Sequence, residues 1–260
     1  LKYSKINDTI IIIHIKGDNI MTTAQTALYV ITLCLGAAAL CFFLKLRVKA
    51  CSAKAAVAKS WVSVFFILSW LVLSYAKGLS AFAAFLGGGL LFGLLGDIWL
   101  DLKFCYAPDN DFYTKMGFLS FGIGHAFYTA AVISGTSGGF KPIALLPACG
   151  VAFVAALVVF FGEKAMKLNY GSYKIISTVY GGVLFFMAAF AFFSALFGGL
   201  ADNTHLVVMA IGGVLFIISD LILSGTYFGE GKNRPFDIIT NHISYYIAQF
   251  VIAAAVLFVK

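Results

Sequence analysis

The chain has 260 residues, 62% of them apolar by the AVILMFWYC count and only 11% charged, against about 45–50% apolar and about 25% charged in an ordinary soluble domain. So few charges cannot coat so much apolar surface in water, which excludes a soluble nucleotide-binding fold, a disulfide scaffold and a disordered chain as descriptions of the whole. The formal net charge of +7 does not mark a nucleic-acid binder, because the Lys and Arg residues sit mostly in short stretches between apolar runs, where they report membrane topology.

In chain order, the first twenty residues, LKYSKINDTIIIIHIKGDNI, carry a short apolar run and no small-residue cleavage site, so they make a poor signal peptide. Lys16-Gly17-Asp18 can be encoded by AAAGGAGAT, a ribosome-binding sequence, with Met21 at the spacing of a bacterial start codon. Residues 1–20 are therefore expected to be a non-native or disordered extension of a membrane domain over 21–260.

From there, runs of about 20 apolar residues recur, each enough to cross a hydrocarbon core of about 30 Å. They are continuous rather than alternating, so they predict helices, with spans at 24–44, 60–76, 79–101, 116–134, 142–162, 175–198, 205–224 and 238–259. The expected fold is an all-α integral membrane bundle of eight transmembrane helices. Cys34, Cys41, Cys51, Cys105 and Cys149 show no CxxC spacing and read as small buried hydrophobes.

The odd-numbered loops hold twelve Lys and Arg, from Lys45 to Arg234, whereas the even-numbered loops hold only Lys77 and Lys141. The positive-inside rule then puts the odd loops in the cytoplasm and both termini outside, in a bacterial cytoplasmic membrane.

Spans three and seven repeat. Gly89-Leu90-Leu91-Phe92-Gly93-Leu94-Leu95-Gly96-Asp97-Ile98-Trp99-Leu100 aligns without gaps on Gly212-Gly213-Val214-Leu215-Phe216-Ile217-Ile218-Ser219-Asp220-Leu221-Ile222-Leu223. Each places a small residue before an Asp in an apolar helix, and two parallel four-helix halves follow as an expectation. An Asp in mid-helix costs about 2.5–3.5 kcal/mol on insertion scales and usually faces a functional interior.

Other polar groups fall at the same level, on the cytoplasmic side. At about 1.5 Å per residue, His125 lies roughly 13 Å into span four, with Tyr128 on the same face. Asn241, Tyr245 and Gln249 form one stripe at i, i+4, i+8 on span eight, and Tyr180 lies near the start of span six. These residues are expected to bind or orient a substrate beside Asp97 and Asp220. His242 reads as an interfacial residue, and Asp101, Asp109, Asp111, Glu163, Asp202, Glu230 and Asp237 as solvated acids.

At these positions the sequence resembles the YhhN-type membrane family, which includes the lysoplasmalogenases. The resemblance rests on the segment 89–100, on Gly117, Phe121, His125 and Tyr128 at family spacing, on Val179-Tyr180 with Met187-Ala188-Ala189, on Gly213 to Asp220, and on Ser244-Tyr245-Tyr246-Ile247-Ala248-Gln249. Together these cover most of residues 59–250. The chain departs at Lys59-Ser60, where the family often has Lys-Pro. The resemblance implies eight helices and hydrolysis of the vinyl ether bond of lysoplasmalogens to a fatty aldehyde and a glycerophospho-alcohol, with the paired acids central.

That chemistry suits two carboxyls. Protonating the β-carbon of a vinyl ether leaves an oxocarbenium ion that water captures, so one acid donates the proton and the other, ionised, stabilises the cation and takes a proton from water. The sequence does not assign the two roles, and this scheme needs no cofactor. The partners are a lysophospholipid and the surrounding lipid, with phosphate near the basic loops. Two alternatives stay open: a metal held by His125, His242, Asp97 and Asp220, of suitable ligand type but without a metal-binding spacing, and a proton-coupled transporter of a small solute or lipid built on the paired halves.

Overall fold

Thr22, Ser52 and Ser80 each precede an apolar run, and each caps the helix that follows. Their hydroxyls accept from the backbone amides of Gln25, Ala55 and Ala83 at 3.2, 3.3 and 3.2 Å, which satisfies donors a helix start leaves open. The structure is a computed structural model that describes residues 21–231 and 233–259; the expectation for residues 1–20 lies outside them. Eight long helices are present among the described residues: α1 (Thr23–Lys49), α2 (Ala53–Lys77), α3 (Ala81–Cys105), α4 (Asn110–Gly135), α5 (Leu145–Phe161), α6 (Lys174–Gly198), α7 (Thr204–Phe228) and α8 (Pro235–Ala254). Each of the eight spans is long and apolar enough to cross a membrane. The protein is an all-α, multi-pass membrane bundle.

The helices exceed the sequence reading at the end that carries the odd-numbered loops. Helix α2 starts seven residues before residue 60, and α3 and α7 each run four residues past the expected ends. Hydropathy stops where charges begin, but these charges lie inside helices. Arg47, Lys59 and Lys103, counted above as loop cations, are 7%, 4% and 7% exposed. Without them the odd loops still carry the excess of positive charge.

The two halves pack alike. In each, neighbouring helices pack in sequence, α1 to α4 and α5 to α8, and the halves meet where α4 packs on α6 and α2 on α8. Helices α2 and α6 both end at a glycine with positive φ, Gly78 at +86° and Gly199 at +90°, a conformation that costs glycine nothing. The small residues of the repeat let backbones approach. A Cβ on Gly124 of α4 would lie 3.2 Å from the Gly89 carbonyl oxygen of α3, and one on Gly212 of α7 would lie 3.2 Å from that of Ala248 on α8.

One expectation about the cysteines is corrected. Cys34, Cys41, Cys51 and Cys149 are exposed on the bundle's surface and Cys105 is half-buried. An apolar run puts as many side chains toward lipid as toward protein, so hydropathy does not separate the two.

Candidate functional site

Three helices bring acids and cations together at the odd-loop end. Asp97 and Asp101 lie one turn apart on α3, so both carboxylates point to the same side, and both are only 2% exposed. Lys59 of α2 stands between them, its ammonium 3.2 Å from Asp97 Oδ1 and 3.3 Å from Asp101 Oδ1. The Arg47 guanidinium of α1 lies 3.7 Å from the same Asp101 oxygen. Asp101 is therefore a buried, ion-paired acid and not the solvated one expected. The i, i+4 spacing of the two acids was the available signal. With Lys59 placed before the second span and Asp101 nearer the water, the sequence shows no partner to bury Asp101.

Asp97 gathers further donors. The Ser63 hydroxyl, one turn after Lys59, donates to Asp97 Oδ2 at 2.6 Å, and the Tyr245 hydroxyl of α8 donates to the same oxygen at 2.8 Å. A carboxylate that takes hydrogen bonds from an ammonium and two hydroxyls acts as a pure acceptor, which suits its ionised form. That fixes the direction of the bonds behind it. Tyr245 gives its proton to Asp97, so its oxygen accepts from Gln249 Nε2 at 3.1 Å. Gln249 then turns its carbonyl oxygen to the Tyr128 hydroxyl, which donates at 2.7 Å. The chain Tyr128–Gln249–Tyr245–Asp97 joins α4, α8 and α3.

Asp220 of α7 has a different setting. It accepts from the hydroxyl of Tyr180 on α6, and no Lys or Arg pairs with it among the described residues. The Tyr180 hydroxyl also lies 3.5 Å from His125 Nε2. One residue before Asp220, α7 is pinned to α8: Asn241 Nδ2 donates to the Ser219 carbonyl oxygen at 2.8 Å, and the Ser219 hydroxyl donates to the Asn241 carbonyl at 3.2 Å.

A cavity of about 1550 Å³ joins these groups. Asp97, Asp220, Tyr180, Tyr245 and Asn241 line it, whereas His125, Tyr128 and Gln249 stand behind its wall. At the odd-loop end the wall is charged, with Arg47, Lys59, Asp101 and Lys103. On the other side it is apolar, with Val151, Val154 and Val158 from α5 and Leu184 and Phe193 from α6. The valines are 38%, 58% and 53% exposed, so this arm opens toward the bilayer. From Tyr180 to Phe193 it follows α6 for about 20 Å at about 1.5 Å per residue.

The loop between α5 and α6 straps the cavity mouth. Leu168 pairs with Gly229 in an isolated antiparallel bridge, and the Asn169 amide donates to the Phe228 carbonyl at 2.8 Å. The Tyr170 amide and the Lys174 ammonium both donate to Glu163, at 2.5 and 3.2 Å, and hold its carboxyl below the usual glutamate range. The Tyr173 hydroxyl donates to Asp111 of α4.

The residues of the alternative metal set do not assemble. His242 is 8% exposed, buried rather than interfacial, and its ring packs edge-on against Phe43 with centroids 4.8 Å apart. The His125 ring packs the same way on Phe216, also at 4.8 Å. Among the described residues no group of three or more His, Cys, Asp and Glu could hold a metal ion.

Fold and cavity together define a polytopic helical membrane protein with two acids facing one membrane-level chamber. A profile of the YhhN family matches residues 55–256, and the chain belongs to that family. No curated protein and no solved structure matches it.

Proposed function

We propose that the protein is a membrane hydrolase that cleaves the vinyl ether bond of lysoplasmalogens, using Asp220 as proton donor and Asp97 as its ionised partner. The observation that carries this reading is the unequal setting of two acids on one cavity. Asp97 faces Lys59 at 3.2 Å and two hydroxyl donors, whereas among the described residues Asp220 meets the neutral Tyr180 hydroxyl and no cation. Two carboxyls with such different surroundings divide acid and base roles. Membership of the YhhN family is consistent with hydrolase activity.

In this scheme Asp220 gives its proton to the β-carbon of the vinyl ether, and the electron pair of the double bond forms the new C–H bond. The resulting oxocarbenium ion lies near the Asp97 carboxylate. Water adds to its carbon as Asp97 takes a water proton, giving a hemiacetal. Asp220 takes back the hemiacetal's hydroxyl proton as its C–O bond to glycerol breaks, and Asp97 passes the proton it took from water to the glycerol oxygen. The products are a fatty aldehyde and a glycerophospho-alcohol, and both acids return to their starting states. Tyr180 orients Asp220, and Tyr245 orients Asp97.

The test is fatty aldehyde release from a lysoplasmalogen by the purified protein, with Asp97→Asn and Asp220→Asn in parallel. Loss of a general acid removes about 10²–10⁴ in rate, so both variants should fall by that order while still folded. Absence of aldehyde from the folded wild-type protein would overturn the reading. We propose with it the orientation that the positive odd loops favour, the odd-loop end in the cytoplasm of a bacterial cell. Exposed Cys51 sits at that end, and its labelling by an impermeant thiol reagent from outside intact cells would reverse the orientation.

A further inference from the structure

Arg47, Lys59 and Lys103 set three buried cations against the two buried carboxylates Asp97 and Asp101 in one stretch of cavity wall. Lys59 serves both acids, and Arg47 reaches only one oxygen, at 3.7 Å. Lys103 has no carboxylate within ion-pair distance among the described residues; its ammonium lies 3.1 Å from the centre of the Tyr227 ring. Asp101 Oδ2, also buried, has no hydrogen-bond partner among the described residues. Buried charge is costly unless it is paired, and this wall sets three cations against two carboxylates, with Lys103 facing the rings of Tyr227 and Phe104 rather than a carboxylate among the described residues, on a cavity that a ligand can fill.

We propose that Arg47 and Lys103 form a phosphate subsite, which takes the head-group phosphate of a single-chain phospholipid. This rests on the function proposed above and adds to it the part of the substrate that is held. Three features fit. Both cations lie in the last turns of α1 and α3, at the depth where a bilayer keeps its head groups. Lys103 lies about 9 Å along α3 from Asp97 at about 1.5 Å per residue, a span for the glycerol backbone between phosphate and vinyl ether. The open apolar arm on the α5–α6 side takes the single tail.

The experiment is equilibrium binding of two ligands that carry no vinyl ether and cannot be cleaved, a 1-O-octadecyl lysophosphatidylethanolamine and 1-O-octadecylglycerol. The wild-type protein should bind the phosphate-bearing ligand about tenfold or more tighter, the worth of a charge-assisted hydrogen bond. Lys103→Met, which breaks no ion pair, should remove about tenfold of that preference and leave the alkylglycerol unchanged. Lys103→Arg, which keeps the charge, should retain it. Competition with inorganic phosphate and with glycerophosphoethanolamine separates a site for the free ion from one for the lipid head group: displacement by the second at lower concentration supports the proposal, and displacement by inorganic phosphate at equal or lower concentration overturns it. Equal binding of the two octadecyl ligands by wild type, or a preference untouched in Lys103→Met and in Arg47→Met, also overturns it. Because neither ligand reacts, a phosphate preference without aldehyde release from lysoplasmalogen would sink the proposed hydrolysis and leave the subsite standing.

Discussion

Lys59 and Tyr180 occupy the same place in the two halves of the bundle and answer the same acid in different ways. Lys59 lies six residues into α2 and Tyr180 six residues into α6, and the acids they hold, Asp97 and Asp220, each lie sixteen residues into the next helix. One half puts a fixed cation on its aspartate and the other a neutral hydroxyl. A repeat that began with one geometry thus carries two electrostatic settings, which is what acid–base work by a carboxyl pair requires.

The first prediction concerns Lys59. Lys59→Met leaves Asp97 and Asp101 buried without their shared cation, and removing one partner of a buried ion pair costs about 3–5 kcal/mol. Thermal unfolding in detergent should show a loss of this order. Adding Asp97→Asn in the same chain should recover part of it, because the neutral amide has no charge left to pair. Equal and additive losses in the two single variants and the double variant would contradict the coupling.

The directed chain behind Asp97 makes the second prediction. Tyr245→Phe deletes a hydrogen bond to a carboxylate, worth about 1.5–3 kcal/mol, so kcat should drop at least about tenfold. Tyr128→Phe, two bonds further from the acid, should cost less. Gln249→Glu faces the Tyr245 oxygen with an acceptor where it needs a donor, and should cost more than Tyr128→Phe although the shape is kept. An order of effects that ignores distance from Asp97 would show that these residues act only as packing.

Much of this was legible in the sequence, for identifiable reasons. Continuous apolar runs fix helices because lipid allows no other open backbone, and the 89–100 and 212–223 repeat foretold two halves that pack alike. Asp97, Tyr180, Asp220, Asn241 and Tyr245 were placed near one another from helix direction and rise alone, and all five line the cavity. Lys59, Arg47 and Lys103 read in the sequence as loop cations and Asp101 as a solvated acid, whereas all four are buried. Each stands next to residues that look like a loop, and hydropathy scores a buried ion pair as it scores two solvated charges. His125, Tyr128 and Gln249, expected to bind substrate or to orient it and the acids, do not line the cavity, because a helical stripe gives the facing side of a residue but not its depth; Tyr128 and Gln249 reach Asp97 through Tyr245.

The third prediction is structural and lies at the opposite end of the bundle. Asn203, fully buried, donates to the carbonyls of Gly198 and Gly199, each at 2.9 Å, and accepts from the Ser137 amide at 2.8 Å. It ties the α4–α5 loop to the α6–α7 turn. Asn203→Ala takes this partner from the Ser137 amide and the Gly198 carbonyl, while the Gly199 carbonyl keeps the Asn203 amide at 3.1 Å, and should cost about 1–3 kcal/mol of stability, read as a lower unfolding temperature. Ligand affinity in the folded fraction should not change, since the residue is remote from both acids. A variant as stable as wild type would mean that water replaces the amide at no cost.

The last prediction reads the apolar arm. Gly150 lines the cavity on α5, and apart from the backbone of its own turns no described atom lies within 4 Å of where its Cβ would stand. Gly150→Leu therefore meets no neighbour at its Cβ and, as a lining position near the start of α5, is expected to narrow the arm toward its even-loop side, away from the acids. Each methylene displaced from apolar contact is worth about 0.8 kcal/mol, so turnover of a long-tailed lysoplasmalogen should fall about tenfold relative to a short-tailed one. The fall should appear in KM, because the substituted residue touches the tail and not the reacting carbon. Equal effects on both chain lengths, or an effect confined to kcat, would place the tail elsewhere and leave α5 as a wall that faces only the bilayer.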